Sequence, residues 1–125
     1  MPPQLDAIGI VCSDLIRTRA FYGLLGVEFP EGDDHVEAAL ANGLRLMLDT
    51  EDVIRSFNPD WTRARGNQVA LAFACGSPAE VDGLYEQIVK AGFEGEKEPW
   101  DAFWGQRYAQ LRDPDGNPVD LFAAL

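Results

Sequence analysis

Apolar and polar positions along the chain follow one pattern twice. Leu5–Cys12 (LDAIGIVC) is an apolar stretch of strand length, closed by Ser13-Asp14, a signal for a helix N-terminus. From Asp14 to Leu25, residues Leu15, Ala20, Phe21, Leu24 and Leu25 fall on one helical stripe. Gly26 supplies the stop, and Val27–Phe29 returns to extended structure. The pattern then repeats. Gln68–Cys75 (QVALAFAC) is again apolar and strand-like, and Ser77-Pro78 gives an N-cap followed by a proline at the first helical position. Val81, Leu84, Tyr85, Ile88 and Val89 form the stripe, Gly92 ends it, and Phe93 opens the next strand. Cys12 and Cys75 occupy matching places in the two halves.

Each half continues with two more strand candidates. In the first they are His35–Leu40 and Leu44–Asp49, joined by the hairpin signal Ala41-Asn42-Gly43. In the second they are Gln106–Arg112 and Pro118–Ala123, joined by Asp113-Pro114-Asp115-Gly116-Asn117, a turn with a glycine ready for positive φ. The expected order in each half is β-α-β-β-β, an α+β architecture. Residues 1–49 form the first module, 50–67 a connector and 68–125 the second module of one domain. The connector is long for a plain loop, and Asp52–Phe57 is expected to make a short helix.

Composition changes the picture little. A chain of 125 residues, 46% hydrophobic and 25% charged, suits one globular domain and excludes a disordered tail, a disulfide miniprotein or a coiled-coil rod. No apolar run approaches the roughly 20 residues of a membrane helix, and the N-terminus lacks the pattern of a secretory signal. The two cysteines are too far apart for a CxxC pair and are read as reduced, which places the protein in the cytoplasm.

Charge matters more. Twenty-one acidic against ten basic residues give −11, spread evenly over both halves. Nucleic acid and anionic membrane are therefore not expected partners, because binding either draws mainly on Lys and Arg. Acidity also serves solubility alone; the sharper reading is a site for cationic or neutral organic molecules. No GxGxxG, Walker or GxSxG motif is present, and the single histidine, His35, has no catalytic context.

The paired order, with Asp14-Leu15, Ala20-Phe21-Tyr22 and Leu25-Gly26-Val27 in the first half, carries a resemblance. The second half adds Trp104-Gly105-Gln106-Arg107-Tyr108 and Asp113-Pro114-Asp115-Gly116-Asn117 before a final apolar strand. Over nearly the whole chain this resembles the vicinal oxygen chelate superfamily of glyoxalases, extradiol dioxygenases and bleomycin-resistance proteins. The resemblance implies two βαβββ modules whose eight strands line a cup, and a homodimer. In its metal enzymes His, Gln or Glu side chains facing the cup hold a divalent ion. The matching positions here read Ala7, Met47, Gln68 and Asp120. A methyl group is no ligand and a thioether suits soft ions, so no metal cofactor is expected. His35 is expected to lie away from these positions.

Strand alternation puts Ala7, Gly9 and Val11 on one face and Ile8 and Ile10 on the other; likewise Ala70, Ala72 and Ala74 share the Gln68 face. The large apolar face suits a helix. The small-sided face fits either a concave sheet with room in front or a tightly packed second layer. Aromatic residues cluster at Trp100, Phe103, Trp104 and Tyr108, with Phe57 and Trp61 in the connector. They serve as core and dimer packing, or as walls of a slot for planar or cationic molecules. Arg107 pairs with a nearby acid such as Glu98 or Asp101, or meets an anionic group. Trp104, aimed by Gly105, is the expected wall.

The combination resembles the bleomycin-resistance branch. It implies metal-independent sequestration of a small hydrophobic, cationic or neutral compound, as in antibiotic resistance, with ligand contacts drawn from Gln68, Asp120, Met47, Arg107 and these aromatics. The alternative is a glyoxalase-type metal-dependent lyase, transferase or dioxygenase. A third is a cup filled by its own side chains.

Overall fold

A computed structural model of the chain describes residues 2–64 and 69–125. They divide into two compact units, Met1–Ala64 and Arg65–Leu125. Each is a mixed sheet with a helix packed on one face. Among the described residues no helix is long and apolar enough to cross a membrane.

The first unit contains β1 (Ala7–Cys12), α1 (Leu15–Leu24), β2 (His35–Ala39), β3 (Arg45–Thr50) and α2 (Glu51–Phe57). Its strand order is β1-β3-β2, with β1 parallel and β2 antiparallel to β3. The Asp14 side chain caps α1 by accepting from the Arg17 N–H at 3.1 Å, as the Ser13-Asp14 signal predicts. Leu15, Phe21 and Tyr22 of α1 are buried together with Ile10, Val36, Leu46 and Leu48 of the strands. A glycine closes the helix: Gly26 sits at φ 86°, and the Val27 N–H turns back to the Tyr22 carbonyl at 3.0 Å. That bond corrects the expected strand at Val27–Phe29. The segment is tied to α1, with the Phe29 carbonyl accepting from Arg19 at 3.3 Å, and no strand forms there. The connector helix forms as expected, starting one residue earlier at Glu51, because Thr50 caps the Val53 N–H at 3.3 Å.

The second unit contains β4 (Leu71–Ala74), α3 (Pro78–Lys90), β5 (Glu94–Ala102), β6 (Gln106–Arg112) and β7 (Pro118–Ala124), in the order β4-β7-β6-β5. Here β4 runs parallel to β7 and the remaining pairs are antiparallel. Ser77 caps α3 through the Glu80 N–H, and the Glu80 carboxylate returns the bond to the Gly76 N–H at 2.7 Å. Asp113 is buried in the turn between β6 and β7. Its carboxylate accepts from the backbone of Asp115 and Asn117, each at 2.9 Å, which sets the register of the last strand pair. Seven strands thus stand among the described residues, one fewer than the repeat predicts.

Alternation along these strands separates two faces. In the second unit Ala109, Leu111, Val119, Leu121 and Ala123 are buried on the side of α3. The opposite face carries Tyr108, Gln110, Asp120 and Phe122, with Ala72 and Ala74 registered against Asp120 and Phe122. In the first unit Leu46 and Leu48 point toward α1, while Arg45, Met47 and Asp49 share the open face with Ala7, Gly9 and Val11. Gly9, Ala72 and Ala74 are exposed, so the small-sided strands border open space in both units.

Candidate functional site

The open face of the second unit gathers four rings. Trp100 is registered opposite Tyr108 on the neighbouring strand, and their ring centroids are 5.5 Å apart. Trp104 lies 5.3 Å from Tyr108 and 6.0 Å from Trp100, each pair edge to face. Phe122, the fourth, stacks on Tyr108 at 6.4 Å; Phe103, a further ring outside these four and almost fully exposed, contacts Trp104 at 5.0 Å. Edge-to-face geometry lets the positive rim of one ring meet the negative face of the next. Gly105 at φ 90° makes the tight turn that brings Trp104 back over the sheet, and the indole N–H donates to Gln106 at 2.8 Å.

A carboxylate stands among these rings. Asp120 is 7% exposed, and its Oδ2 accepts from the Tyr108 hydroxyl at 2.5 Å. Its Oδ1 is buried and has no hydrogen-bond partner among the described residues. Leaving such an atom unpaired costs about 1–3 kcal/mol, more if charged. The Tyr108 phenol is pushed up to about 12, first by burial and then by its bond to Asp120, so it remains a neutral donor. Asp120 is therefore oriented by one hydroxyl, with its other oxygen ready for a donor.

Arg107, next in sequence to Tyr108, points the other way. It lies on the α3 side, where Asp82 accepts at 2.9 and 3.3 Å and Asp101 at 3.1 Å. These two acids hold the guanidinium, and it does not join the rings. Phe57 and Trp61 belong to the first unit. Phe57 is 71% exposed at the end of α2, and Trp61 is half buried with Arg55 and Arg63 over its ring at 5.2 and 5.6 Å. Gln68 lies outside the described residues. The first unit has a surface groove of about 500 Å³ beside α1. The second has one of about 480 Å³ between α3 and β5, lined by none of its four rings.

The first unit's open face holds a chain of charges that inspection of the sequence misses. Asp6 pairs with Arg45 at 2.6 Å, Arg45 with Glu37 at 2.8 Å, Glu37 with His35 at 3.1 Å and His35 with Asp49 at 2.6 Å. His35 is thus the cross-strand partner of Asp49 and shares the open face of Ala7 and Met47, so for these two of the four ligand positions the expectation that it lies away does not hold. The signal was present in the hairpin: closing Leu40 on Leu44 pairs position 37 with 47 and 35 with 49. The carboxylates of Asp49 and then Glu37 raise His35 above its ordinary 6.5.

Taken unit by unit, the described ligand positions offer few donors suited to a divalent ion. Ala7 offers a methyl group and Met47 a thioether whose methyl end lies beside Gly9, while Asp120 has one oxygen taken by Tyr108. Both His35 nitrogens face carboxylates. Among the described residues no group of three His, Cys, Asp or Glu side chains is arranged to hold a metal.

Relatives agree with this architecture. A Bacillus subtilis protein described as uncharacterized protein YwkD is 29% identical over 126 residues, covering 95% of each chain. A glyoxalase/bleomycin resistance protein/dioxygenase family enzyme from Burkholderia phytofirmans PsJN superimposes with a TM-score of 0.86 at 18% identity, over 98% of this chain and all of that one. Lactoylglutathione lyase from Agrobacterium tumefaciens gives 0.69 at 22% identity, covering 98% of this chain and 95% of its own. At these identities the two structures are similar in fold alone. The family model of the Glyoxalase/Bleomycin resistance protein/Dioxygenase superfamily matches residues 4–121, and the chain belongs to that superfamily.

Proposed function

We propose that the open face of the second unit binds a small planar organic molecule bearing an N–H or O–H donor, without a metal ion. The observation that carries this reading is the buried, unpartnered Oδ1 of Asp120 set among Trp100, Trp104, Tyr108 and Phe122. A donor on the ligand would relieve that oxygen's desolvation, with about 1.5–3 kcal/mol expected for a hydrogen bond to a charged group. The rings supply flat apolar area, and the exposed methyl groups of Ala72 and Ala74 leave clearance beside them. The reading includes sequestration as the activity and a homodimer as the assembly. Exposed Ile16 and Phe103, at 81% and 97%, offer apolar surface for a second copy.

The test is a thermal-shift series with benzamide and benzamidine, planar probes that differ in charge, run with and without divalent ions on wild type and Asp120→Asn. Stabilisation of wild type that is independent of metal and falls about tenfold in apparent affinity in the variant supports the reading. Stoichiometric zinc, nickel, manganese or iron in the purified protein would overturn it in favour of a glyoxalase-type enzyme.

A further inference from the structure

Lys97 is the basic side chain of β5 on the same face as the rings. It is registered against Gln110, which shares its face with Tyr108, and its Nζ lies 3.9 Å from the centroid of the Trp100 ring. That is close contact between an ammonium and the negative face of an indole, the arrangement with the strongest cation–π attraction. Among the described residues no carboxylate forms an ion pair with Lys97, although Glu96 and Glu98 are its sequence neighbours. Glu96 instead pairs with Arg112 at 3.2 Å. In a chain with twenty-one acids, a lysine resting on a ring is a measure of what that ring attracts.

We propose that the Trp100 ring face is an ammonium subsite of the binding face, occupied in the free protein by Lys97 and vacated when a ligand's alkylammonium or quaternary ammonium group takes its place. This deepens the proposed function and rests on it: Asp120 takes the ligand's hydrogen-bond donor, and Trp100 takes its positive charge. The exchange is cheap. Lys97 stands on an exposed edge strand, so its ammonium swings into water with little loss beyond the ring contact. The two register shifts of β5, between Gly95 and Lys97 and between Lys97 and Trp100, bracket this lysine. The second brings Lys97 and Trp100, three positions apart, onto one face, which regular alternation would forbid.

Tetramethylammonium chloride is the probe, because it carries charge without an N–H and cannot use Asp120 Oδ1 as a hydrogen-bond acceptor. Ionic strength is held constant with sodium chloride throughout. In the free protein the protons of the Lys97 methylene next to nitrogen should resonate upfield from ring-current shielding, and titration should move them downfield toward ordinary lysine. Lys97→Met should bind the probe roughly twofold to fivefold more tightly, the size of an exposed cation–π contact. Lys90→Met removes the same charge from α3, where Lys90 is exposed and paired with Glu86, and should leave affinity within experimental error. Trp100→Leu should abolish probe binding; if that variant does not fold, the Lys97 resonances decide. Equal gains in the two lysine variants would mean bulk charge alone, and the subsite falls. Lys97 signals that start at ordinary positions, or that stay shielded throughout the titration, overturn it as well. Loss of benzamide binding in Asp120→Asn would stand independently of either failure.

Discussion

Trp104 is held on one side only. Its ring touches Phe103, Trp100 and Tyr108, its N–H is satisfied by Gln106, and 48% of the residue remains exposed. A half-exposed tryptophan contributes less to folding than a buried one, for which truncation costs about 3–5 kcal/mol. Trp104→Ala should therefore cost only about 1 kcal/mol in urea unfolding while weakening benzamidine binding by about 1–3 kcal/mol, as for an aromatic anchor. A collapsed unfolding midpoint with unchanged affinity would make Trp104 core and move the ligand wall to Trp100. At this scale the sequence was partly legible. Trp100, Trp104 and Tyr108 were recognised as a cluster, and the Asp120 position came from the resemblance. Arg107 sits between Trp104 and Tyr108 in sequence but on the opposite face, because strand alternation separates adjacent residues. What could not be read was Lys97, because its place over Trp100 depends on the irregular register of β5.

Among elements, the β2–β3 hairpin shows both the reach of pattern and its limit. Both strands and the Gly43 turn were legible, with Gly43 at φ 89° as a hairpin glycine should be. The network across them was not, since it required carrying the register outward from the turn. The expected strand at Val27–Phe29 failed for a related reason: extended propensity says nothing about whether a free sheet edge is within reach. The hairpin's network also makes stability depend on pH. His35 faces Asp49 on β3 and Glu37 on β2, and Glu37 in turn faces Arg45. A protonated imidazole donates to both carboxylates, whereas a neutral one has a single N–H. Because the folded-state value is raised above 6.5, the stabilisation is fully present below 6.5 and is lost as pH rises through the raised value. The gap in urea midpoint between wild type and His35→Gln should therefore shrink as pH rises above 6.5. Parallel curves would show that His35 contributes nothing through its charge. Solvent exposure on this face keeps the effect small.

For the whole molecule, the net charge of −11 is the one property that acts on a ligand before any contact is made. Two explanations compete. If acidity serves only solubility, the probe's charge should not matter beyond the local subsite. If the field steers ligand, a cation accumulates near the surface and an anion is repelled, both effects weakening as salt shortens the screening length from about 30 Å at 0.01 M to about 8 Å at 0.15 M. Local and global contributions separate because they respond differently: the contact between an ammonium and Trp100 spans 3.9 Å in Lys97's own case, well inside any screening length. Benzamidine and benzamide have nearly the same shape, so their affinity ratio isolates charge. Steering predicts that the association rate of benzamidine falls several-fold between those two salt concentrations while its dissociation rate and both rates for benzamide change little. Association rates that are flat in salt for both probes would confine the preference for cations to Trp100 and leave the acidic surface a role in solubility alone.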